Sequence, residues 1–449
     1  MIMVRDKLFY KTLFTIALPA AFQSVVSFMM GTMDTIMVGQ LGEEALAGVA
    51  ISNQVNAFLF SLLTGLASGS AVLISQYWGK RDTSTIKRIF SLIFLVCCGA
   101  GAAANIVALA VPRGVLGLMT GEKAIIDAAL PYFTTICFSY ILYAANTSLA
   151  VMLRTVEAVM GALFTSIICS SLDIFLNWVF IFGNLGMPAM GVRGAAMTTV
   201  VSRSLELVII MTYAFRMQKK LPIKFFDLFK PKLKIAIDYV KHGLPVAIGD
   251  SQWAFFGVVK AAVIGHVGTI MVSANAISDT IMSLGFISSS SLAAGACVVV
   301  GKAVGAGDYK KAREYSNSIQ VIYAVMAVIM ASLVYLLRIP IANLFVVSDD
   351  VRSYAIQMIA IGAFTLLGTL YHAACFVGIN RGSGDGRFVV KVDIICGWFI
   401  VLPLLFCSAH VWHLSFPLIY LASRFDQCFK WIIAFIRLKG DKWIKNVTA

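Results

Sequence analysis

The chain has 449 residues, of which 59% are hydrophobic and only 13% charged, and its 36 lysines and arginines against 22 acidic residues give a net charge of +14. Because a soluble domain carries about 25% charged residues, this composition excludes an ordinary soluble globular protein. Nucleic-acid binding would also account for a basic chain, but the long apolar runs favour a membrane protein with basic loops, and no nucleic-acid partner is expected.

In chain order, the apolar runs predict about twelve transmembrane helices, since a helix needs about twenty apolar residues to span ~30 Å of hydrocarbon. The predicted spans cover residues 12–38, 45–74, 89–111, 125–153, 159–183, 192–215, 236–264, 270–300, 316–337, 353–379, 389–408 and 414–436. The first run is too long for a signal-peptide core and is interpreted as a spanning helix. The predicted fold class is an all-α polytopic membrane protein.

Lysines and arginines between the predicted spans are distributed unequally. The loops and termini on one side carry 27 of them, whereas the other side carries five. The positive-inside rule places the richer side in the cytoplasm. We therefore predict a multi-pass protein of the cell (plasma) membrane with both termini in the cytoplasm.

An internal repeat relates the two halves of the chain: residues 18–82 recur at 244–308 with a shift of 226 and no gap. The matched pairs include Gly31 and Gly257, Gly39 and Gly265, Gly42 and Gly268, Gly79 and Gly305, and Asp82 and Asp308. Matched glycines are the stronger evidence, because apolar helices align loosely with one another. An even number of helices per half makes the repeat parallel, so we predict two pseudo-symmetric six-helix bundles.

The longest basic connection separates the two predicted bundles. The predicted domains are an N-terminal bundle at residues 1–215, a cytoplasmic basic linker at 216–235 and a C-terminal bundle at 236–449. Apolar residues and lysines alternate in the linker, so two interpretations stand side by side. The linker lies partly on the anionic inner leaflet, or it is a solvated connection that carries topology signals.

No motif for nucleotide hydrolysis or metal binding is visible. Gly301-Lys302 lacks the preceding spaced glycine and the following Ser/Thr of a phosphate-binding loop. All nine cysteines fall inside predicted spans without metal-ligand spacing, and we interpret them as packing residues. If the protein pumps a substrate, it is expected to use an ion gradient and no cofactor.

Several motifs together resemble those of one transporter family in their order and spacing. They are MDTIMVGQLG (33–42), GVRGAAMTTVVS (191–202), GLPVAI (243–248), RGSGDGR (381–387) and RLKGDKW (437–443). This set resembles the multidrug and toxic-compound extrusion family, MATE. The resemblance implies two six-helix bundles around a central cleft and alternating access driven by inward flow of H⁺ or Na⁺. It also implies a small organic, cationic substrate, and we expect a monomer surrounded by membrane lipids.

Asp34 is the leading candidate for the ion-coupling site. A charged side chain inside the membrane costs about 2.5–3.5 kcal/mol on insertion scales unless it is paired, hydrated or functional. Asp34 lies deep in the first predicted span among several methionines, and the resemblance marks it as the first-helix acidic residue of the family. The alternative is a structural Asp paired with a neighbouring helix.

Asp173 and Asn177 in the fifth predicted span lie four residues apart and therefore share one helix face. The resemblance implies an Asn/Asp pair here that works with the first-helix Asp, but the order is reversed in this chain, which moves the charge by one turn, ~5.4 Å. Thr198 and Thr199 in the sixth span could add hydroxyls to the same bundle. Their alternative role is hydrogen bonding between helices.

The second half has its own candidates in Asp250, Lys260, Asp279 and Asp385. The resemblance implies a Glu in the seventh span, but an ungapped alignment puts Trp253 there, so that Asp250, about one turn earlier, is at best a substitute. Asp385 matches an acidic position after the tenth span. Its alternative roles are to cap a helix or to bind Arg381.

Lys260 corresponds to Asp34 under the 226-residue shift, and a buried lysine must pair or lose its proton. One hypothesis is an ion pair with Asp250, Asp279 or Asp393. The other is that Lys260 changes substrate preference by repelling cations. Two further charge pairings are predicted as structural: Arg203 with Glu206, and Arg424 with a residue of another helix.

These observations favour a cation-coupled exporter that is not an enzyme. H⁺ is favoured over Na⁺ as the coupling ion, because the acidic residues fit the first bundle better than the second. The alternatives are a lipid-linked precursor flippase of the same superfamily, a transporter of the major facilitator type and an integral membrane enzyme. The enzyme is disfavoured because the five histidines are scattered and no nucleophile–base set is visible.

Overall fold

The structure is a computed structural model that describes residues 3–345 and 347–448, with the backbone alone at Leu284. The described residues of the first half form α1 (Lys7–Gly39), α2 (Glu43–Gly79), α3 (Thr83–Ala110), α4 (Pro112–Gly117), α5 (Lys123–Ile136), α6 (Ser139–Thr155), α7 (Val159–Phe182), α8 (Gly191–Thr212) and α9 (Leu233–His242). Those of the second half form α10 (Leu244–Gly265), α11 (Thr269–Gly305), α12 (Tyr309–Ala342), α13 (Asp349–Ala373), α14 (Gly386–Ile394), α15 (Leu402–Phe406), α16 (Phe416–Ala422) and α17 (Lys430–Lys439).

Shorter helical turns connect or interrupt these helices. Single 3₁₀ turns occur at Asn184–Gly186, Phe225–Phe229 and Phe425–Cys428, and π-helical turns at Tyr213–Met217, Ala374–Asn380, Ile395–Val401 and Cys407–Val411. Three of the four π-helical turns lie in the second half, so its last helices are less regular than their counterparts in the first half.

The membrane-spanning helices agree with the predicted fold class. Within the described chain, nine helices are long and apolar enough to cross a membrane, and α5 with α6 makes a tenth span that is bent by 51°. Helix α10 and the broken pair α16–α17 coincide with the predicted seventh and twelfth spans. The all-α fold with a twelve-helix, two-bundle layout is confirmed.

The repeat is visible in local backbone geometry as well as in sequence. Gly42 and Gly268 precede α2 and α11 with φ angles of 110° and 141°, which side chains rarely adopt. Asp82 and Asp308 cap α3 and α12, where each carboxylate accepts a hydrogen bond from a first-turn amide, at 3.0 and 3.1 Å. The residues matched at a shift of 226 therefore have the same structural roles in both halves.

The chain forms two compact units whose boundaries obey the same repeat. The first unit is Phe22–Ala247, and the second unit comprises the N-terminal segment up to Ala21 together with the chain from Ile248 onward. The boundary residues Ala21 and Ala247 are themselves 226 residues apart. The first residues of the N-terminal repeat, up to Ala21, thus belong to the unit formed by the second repeat, and the first residues of the second repeat, up to Ala247, belong to the unit formed by the first. The predicted domains at 1–215, 216–235 and 236–449 follow the repeat instead, and that division stays a prediction.

Close helix packing at small residues holds each opening segment in its unit. In the first unit, Gly69 of α2 meets Gly243 backbone to backbone, and the Tyr239 hydroxyl donates to the Leu66 carbonyl at 2.7 Å. In the second unit, a Cβ placed on Gly295 of α11 would lie 2.9 Å from the carbonyl oxygen of α1 at residue 13. Small residues permit this approach where helices pack in a membrane.

The basic linker is packed rather than fully solvated. Leu221 and Leu228 are buried in the first unit, and the Ser91 hydroxyl of α3 donates to the Leu228 carbonyl at 2.9 Å. Phe225, Phe226 and Phe229 remain exposed. The position of the linker on the inner leaflet stays a prediction.

Candidate functional site

A cavity of about 290 Å³ with several polar and charged lining residues lies inside the first unit. Side chains of α1, α2, α5, α7 and α8 line it, and they include Asp34, Asn53, Tyr132, Asp173, Thr199, Arg203 and Glu206. Three of these seven are acidic, which is costly in a membrane and marks the cavity as the candidate functional site.

Asn177 joins the two candidate carboxylates at the centre of this site. Its side-chain N–H₂ donates to Asp34 Oδ1 at 2.7 Å and to Asp173 Oδ2 at 3.2 Å. Its carbonyl oxygen Oδ1 accepts from the Thr198 hydroxyl. Asp173 and Asn177 are buried, and Asp173 Oδ1 has no hydrogen-bond partner among the described residues. One amide group therefore holds two carboxylates next to each other.

The helices explain this arrangement. Asp173 and Asn177 lie one turn apart on α7, so their side chains point to the same side, toward α1 and α8. Thr198 is on α8, whose backbone packs closely on α7 at Gly194, where a Cβ would lie 2.6 Å from the Phe180 carbonyl oxygen. The glycine lets α8 approach close enough for the Thr198 hydroxyl to reach Asn177.

The predicted hydroxyls behave differently from each other. Thr198 contacts Asn177, whereas the Thr199 hydroxyl donates to the Ala195 carbonyl of its own helix at 3.2 Å. Thr199 still lines the cavity. Its role in ion coupling stays a prediction.

A second polar layer comes from residues that the sequence analysis did not select. Tyr132 donates to Asn53 Oδ1 at 3.2 Å, and Tyr140 donates to Asn56 Oδ1 at 2.7 Å. Asn53 corresponds to Asp279 under the 226-residue shift. This correspondence with a candidate carboxylate is the feature of the sequence that could have identified Asn53. These groups supply uncharged hydrogen-bonding atoms on the α2 side of the cavity.

The predicted pair of Arg203 and Glu206 is confirmed, with an Arg203 Nη1 to Glu206 Oε2 distance of 2.6 Å. Asn146 of α6 donates to the same carboxylate oxygen at 3.1 Å. The pair also lines the cavity with Asp34 and Asp173. Because Glu206 compensates Arg203, the two aspartates are the acidic groups of this cavity without an ion pair within 4.0 Å in the described chain.

Each candidate carboxylate of the second half is bound to a cation other than Lys260. Asp250 pairs with Arg381 at 2.6 Å, and Asp279 pairs with Arg424 at 2.6 Å. The predicted cross-helix partner of Arg424 is thereby confirmed.

Asp393 belongs to a separate buried cluster around Lys430. The Lys430 ammonium lies 3.0 Å from Asp393 and 2.7 Å from Asp426. The hypothesis that Lys260 pairs directly with Asp250, Asp279 or Asp393 is therefore wrong for this structure. Arg381, Arg424 and Lys430 already hold these three carboxylates. Within the described ranges, no other carboxylate lies within 4.0 Å of the Lys260 ammonium.

Asp385 neither caps a helix nor binds Arg381. It precedes α14 without a side-chain cap hydrogen bond and instead contacts Arg437 at 2.8 Å and Lys445 at 2.5 Å. Its carboxylate is fully buried. This residue joins the loop after α13 to the C-terminal segment, and it lines neither the first-unit cavity nor the second-unit cavity of about 410 Å³.

The four second-half candidates are thus not brought together. Lys260 and Asp279 line one cavity, of about 410 Å³, whereas Asp250 and Asp385 lie outside its lining. The candidates of the first half, Asp34, Asp173 and Asn177, form a single hydrogen-bonded group.

Comparison with known proteins agrees with this architecture. The family model MatE matches residues 19–179 and 245–407, which is more than half of the chain. The chain belongs to the MATE family, whose members are membrane transporters and not enzymes. The two matched segments correspond to the two halves of the repeat.

Curated relatives cover almost the whole length at modest identity. The uncharacterized transporter YisQ of Bacillus subtilis is 24% identical over 98% of this chain and 96% of its own. The probable multidrug resistance protein NorM of Pasteurella multocida is 24% identical over 88% of this chain and 85% of its own.

Solved structures share the fold. A crystal structure of MATE in complex with MaL6 has a TM-score of 0.87 at 20% identity and covers 96% of this chain and 95% of its own. The outward-facing conformation of a multidrug resistance MATE family transporter of the MOP superfamily also has a TM-score of 0.87, at 19% identity and 98% coverage of both chains. At such identities the likeness shows the fold alone.

Proposed function

We propose that this protein is a proton-coupled antiporter that exports amphipathic organic cations by alternating access. It would act as a monomer in the plasma membrane, with both termini in the cytoplasm. The observation that carries the proposal is the Asn177 amide, which holds Asp34 and Asp173 together inside the first-unit cavity. Relatives named as multidrug resistance proteins support the export of organic compounds.

The paired carboxylates suit a proton. Two like charges side by side favour protonation of one of them, because the proton removes their mutual repulsion. In a membrane, the proton also removes the cost of one buried charge. The pair can therefore take up a proton in one conformation and release it in another, as coupling requires.

The orientation of Asn177 favours H⁺ over Na⁺. A hard cation such as Na⁺ needs several oxygen ligands. Asn177 turns its N–H₂ donors, not its carbonyl oxygen, toward both carboxylates, and that oxygen is engaged by Thr198. The Asn177 amide therefore presents hydrogen-bond donors to the site, whereas a metal ion would need an oxygen acceptor.

An organic cation and a proton would compete for the same negative charge. With both aspartates ionised, the cavity attracts a cationic substrate, and protonation weakens that attraction. Entry of protons from outside would thus favour release of the substrate there. This competition is sufficient for antiport if the cavity opens to alternate sides.

The experiment is dye transport by the purified protein in liposomes. Ethidium movement should follow an imposed pH gradient and be indifferent to a Na⁺ gradient. Asp34→Asn should fold, as judged by a single size-exclusion peak and an unchanged melting temperature, yet lose at least ~90% of the transport rate. Asp350→Asn, which removes an exposed carboxylate in the first turn of α13, serves as the matched control and should transport normally. Transport that follows Na⁺ without a pH gradient would overturn the proton assignment, and activity retained by Asp34→Asn would overturn the site.

A further inference from the structure

We propose that the cavity of the second unit is a separate binding site for the anionic group of an aromatic organic acid, with Lys260 as the charge that recognises it. The occupant would be a monoanion, such as a carboxylate, attached to a flat apolar ring system. Binding at this site does not require ion coupling, whereas its use in transport rests on the proposed export function.

The cavity has the size and walls of a small-molecule site. Its volume of about 410 Å³ lies within the range of about 300–1,000 Å³ that is typical of ligand pockets. Trp253 and Phe256 of α10 and Phe286 of α11 supply aromatic surface. Lys260, Asn275 and Arg424 supply polar groups on the same lining. Aromatic walls with a few convergent polar groups favour a ligand that is largely apolar and carries one polar end.

Both carboxylates that line this cavity are already compensated. Asp279 accepts from Arg424 at 2.6 Å and from the Asn275 amide at 2.9 Å. Asp426 lies 2.7 Å from the ammonium of Lys430, a side chain with no exposed surface. Each carboxylate that an organic cation could meet in this cavity therefore already has a cation beside it.

Lys260 differs from Arg424, which pairs with Asp279 on the same lining. In the described part of the chain, it forms no hydrogen bond and has no carboxylate within 4.0 Å, and it interacts with Asp279 and Asp426 only at longer range. A membrane-embedded ammonium without a partner costs several kcal/mol and is a functional-site candidate by default. Its lining position makes the cavity the place where a partner could reach it.

The two cavities therefore have opposite preferences. Among the described residues that line the first cavity, Asp34 and Asp173 are the charges without an ion pair within 4.0 Å, and among those that line the second it is Lys260. A cation would be repelled from Lys260, while a carboxylate could accept from its ammonium and stack its ring against the aromatic walls. This difference defines an organic anion as the ligand class of the second cavity.

The test is equilibrium binding to the full-length protein in nanodiscs of zwitterionic lipid. The probes are 1-naphthaleneacetate and its neutral amide, which share one ring system and differ in charge. The wild-type protein should bind the acid about 10-fold more tightly than the amide, the effect expected for a charge-assisted hydrogen bond. Lys260→Gln should lose that preference and leave amide binding unchanged.

Two further variants separate recognition from folding. Lys260→Arg keeps the charge and should bind the acid within about 3-fold of the wild type. Lys310→Gln removes a cytoplasmic lysine outside the cavity and should bind like the wild type. If Lys260→Gln does not fold, the wild-type preference and the behaviour of Lys260→Arg decide the matter. Equal affinity of the wild type for acid and amide, or a Lys260→Gln protein that still prefers the acid, would overturn the proposal.

Asp34→Asn distinguishes this proposal from the export function. Acid binding should be the same in Asp34→Asn as in the wild type, although dye transport is lost. Persistent acid binding in a protein whose transport proves independent of the proton gradient would refute the coupling assignment alone. Loss of the Lys260-dependent preference in a protein with normal proton-driven dye transport would refute the anion site alone.

Discussion

Removal of the buried ammonium of Lys430 is expected to destabilise the second unit strongly. Its side chain is completely buried and contacts Asp426, which is 4% exposed, and Asp393, which is 18% exposed. Lys430→Met keeps most of the side-chain volume and deletes only the charge. Two buried carboxylates would then lack their shared cation.

The size of the effect follows from that geometry. Removing one partner of a buried ion pair costs about 3–5 kcal/mol, because an uncompensated charge remains. Here we expect the upper part of that range for Lys430→Met, since two carboxylates lose one cation. Asp426→Asn in the Lys430→Met background also removes the more deeply buried carboxylate. The double variant should regain about 2 kcal/mol of unfolding free energy, because the effects of changes at contacting residues are not additive.

The measurement is the free energy of unfolding of the purified protein by SDS titration in mixed micelles, followed by circular dichroism. Arg113→Met is the control, because it breaks an exposed ion pair with Asp127 and should cost at most about 1 kcal/mol. A Lys430→Met protein within 1 kcal/mol of the wild type would refute the reasoning, as would a double variant that is as unstable as the two single changes added together.

Three further predictions concern the helix ends and contacts that the repeat shares. Arg81 has a φ of 62° where its repeat counterpart is Gly307 at 77°, so Arg81→Gly should raise the melting temperature by relieving about 1 kcal/mol of strain, and Gly307→Ala should lower it. Gly295→Leu should cost about 1–3 kcal/mol in the same unfolding assay, because its Cβ would lie 2.9 Å from a backbone carbonyl of α1. Gly99→Leu, at a position with no neighbour within 4 Å of an added Cβ, should cost far less, and equal costs would contradict the packing argument. Hydrogen bonds from the first turn of α3 lower the pKa of Asp82 below its usual value of 3.8, so the stabilisation by this cap is complete above that pH and is lost as the pH falls through the lowered pKa. Asp82→Ala should therefore cost about 1 kcal/mol at pH 7 and progressively less as the pH falls through that lowered pKa, and a pH-independent cost would exclude the carboxylate as its origin.

Much of the fold follows from local rules in the sequence. Apolar run lengths predict the spans, because the thickness of the bilayer fixes how many residues a helix needs. The matched glycines and aspartates predict equivalent helix boundaries, because positive φ angles and amide capping depend on few residues. Gly42 and Asp82 confirm this, together with their counterparts 226 residues later.

The first-unit site was predictable in part for the same reason. The four-residue spacing of Asp173 and Asn177 defines one face of a regular helix, and α7 is regular there. That Asp34 meets this face came only from the family resemblance, since sequence spacing does not define how two helices are rotated against each other. Arg203 and Glu206 were predicted as a pair but not as part of the cavity wall for this reason.

The ion pairs that join different helices of the second unit could not be derived from spacing. Each π-helical turn accommodates an extra residue and rotates the following side chains around the helix axis. One such turn, Ile395–Val401, begins two residues after Asp393, and a 3₁₀ turn at Phe425–Cys428 interrupts the last predicted span. Regular helical periodicity therefore assigns wrong faces here, and the choice of Lys430 rather than Lys260 as the partner of Asp393 was not visible.

The reciprocal grouping of the first-helix segments resembles a domain-swapped dimer in which two subunits have been joined into one chain. In such a dimer each subunit lends an identical element to its partner. A single repeat would lack the segment that completes its packing surface at Gly69 or Gly295. An ancestral protein made of one repeat would accordingly have been stable as a pair of chains. Fusion of two copies would have turned a concentration-dependent assembly into an intramolecular one and left the two copies free to diverge, as Asp34 and its counterpart Lys260 have done.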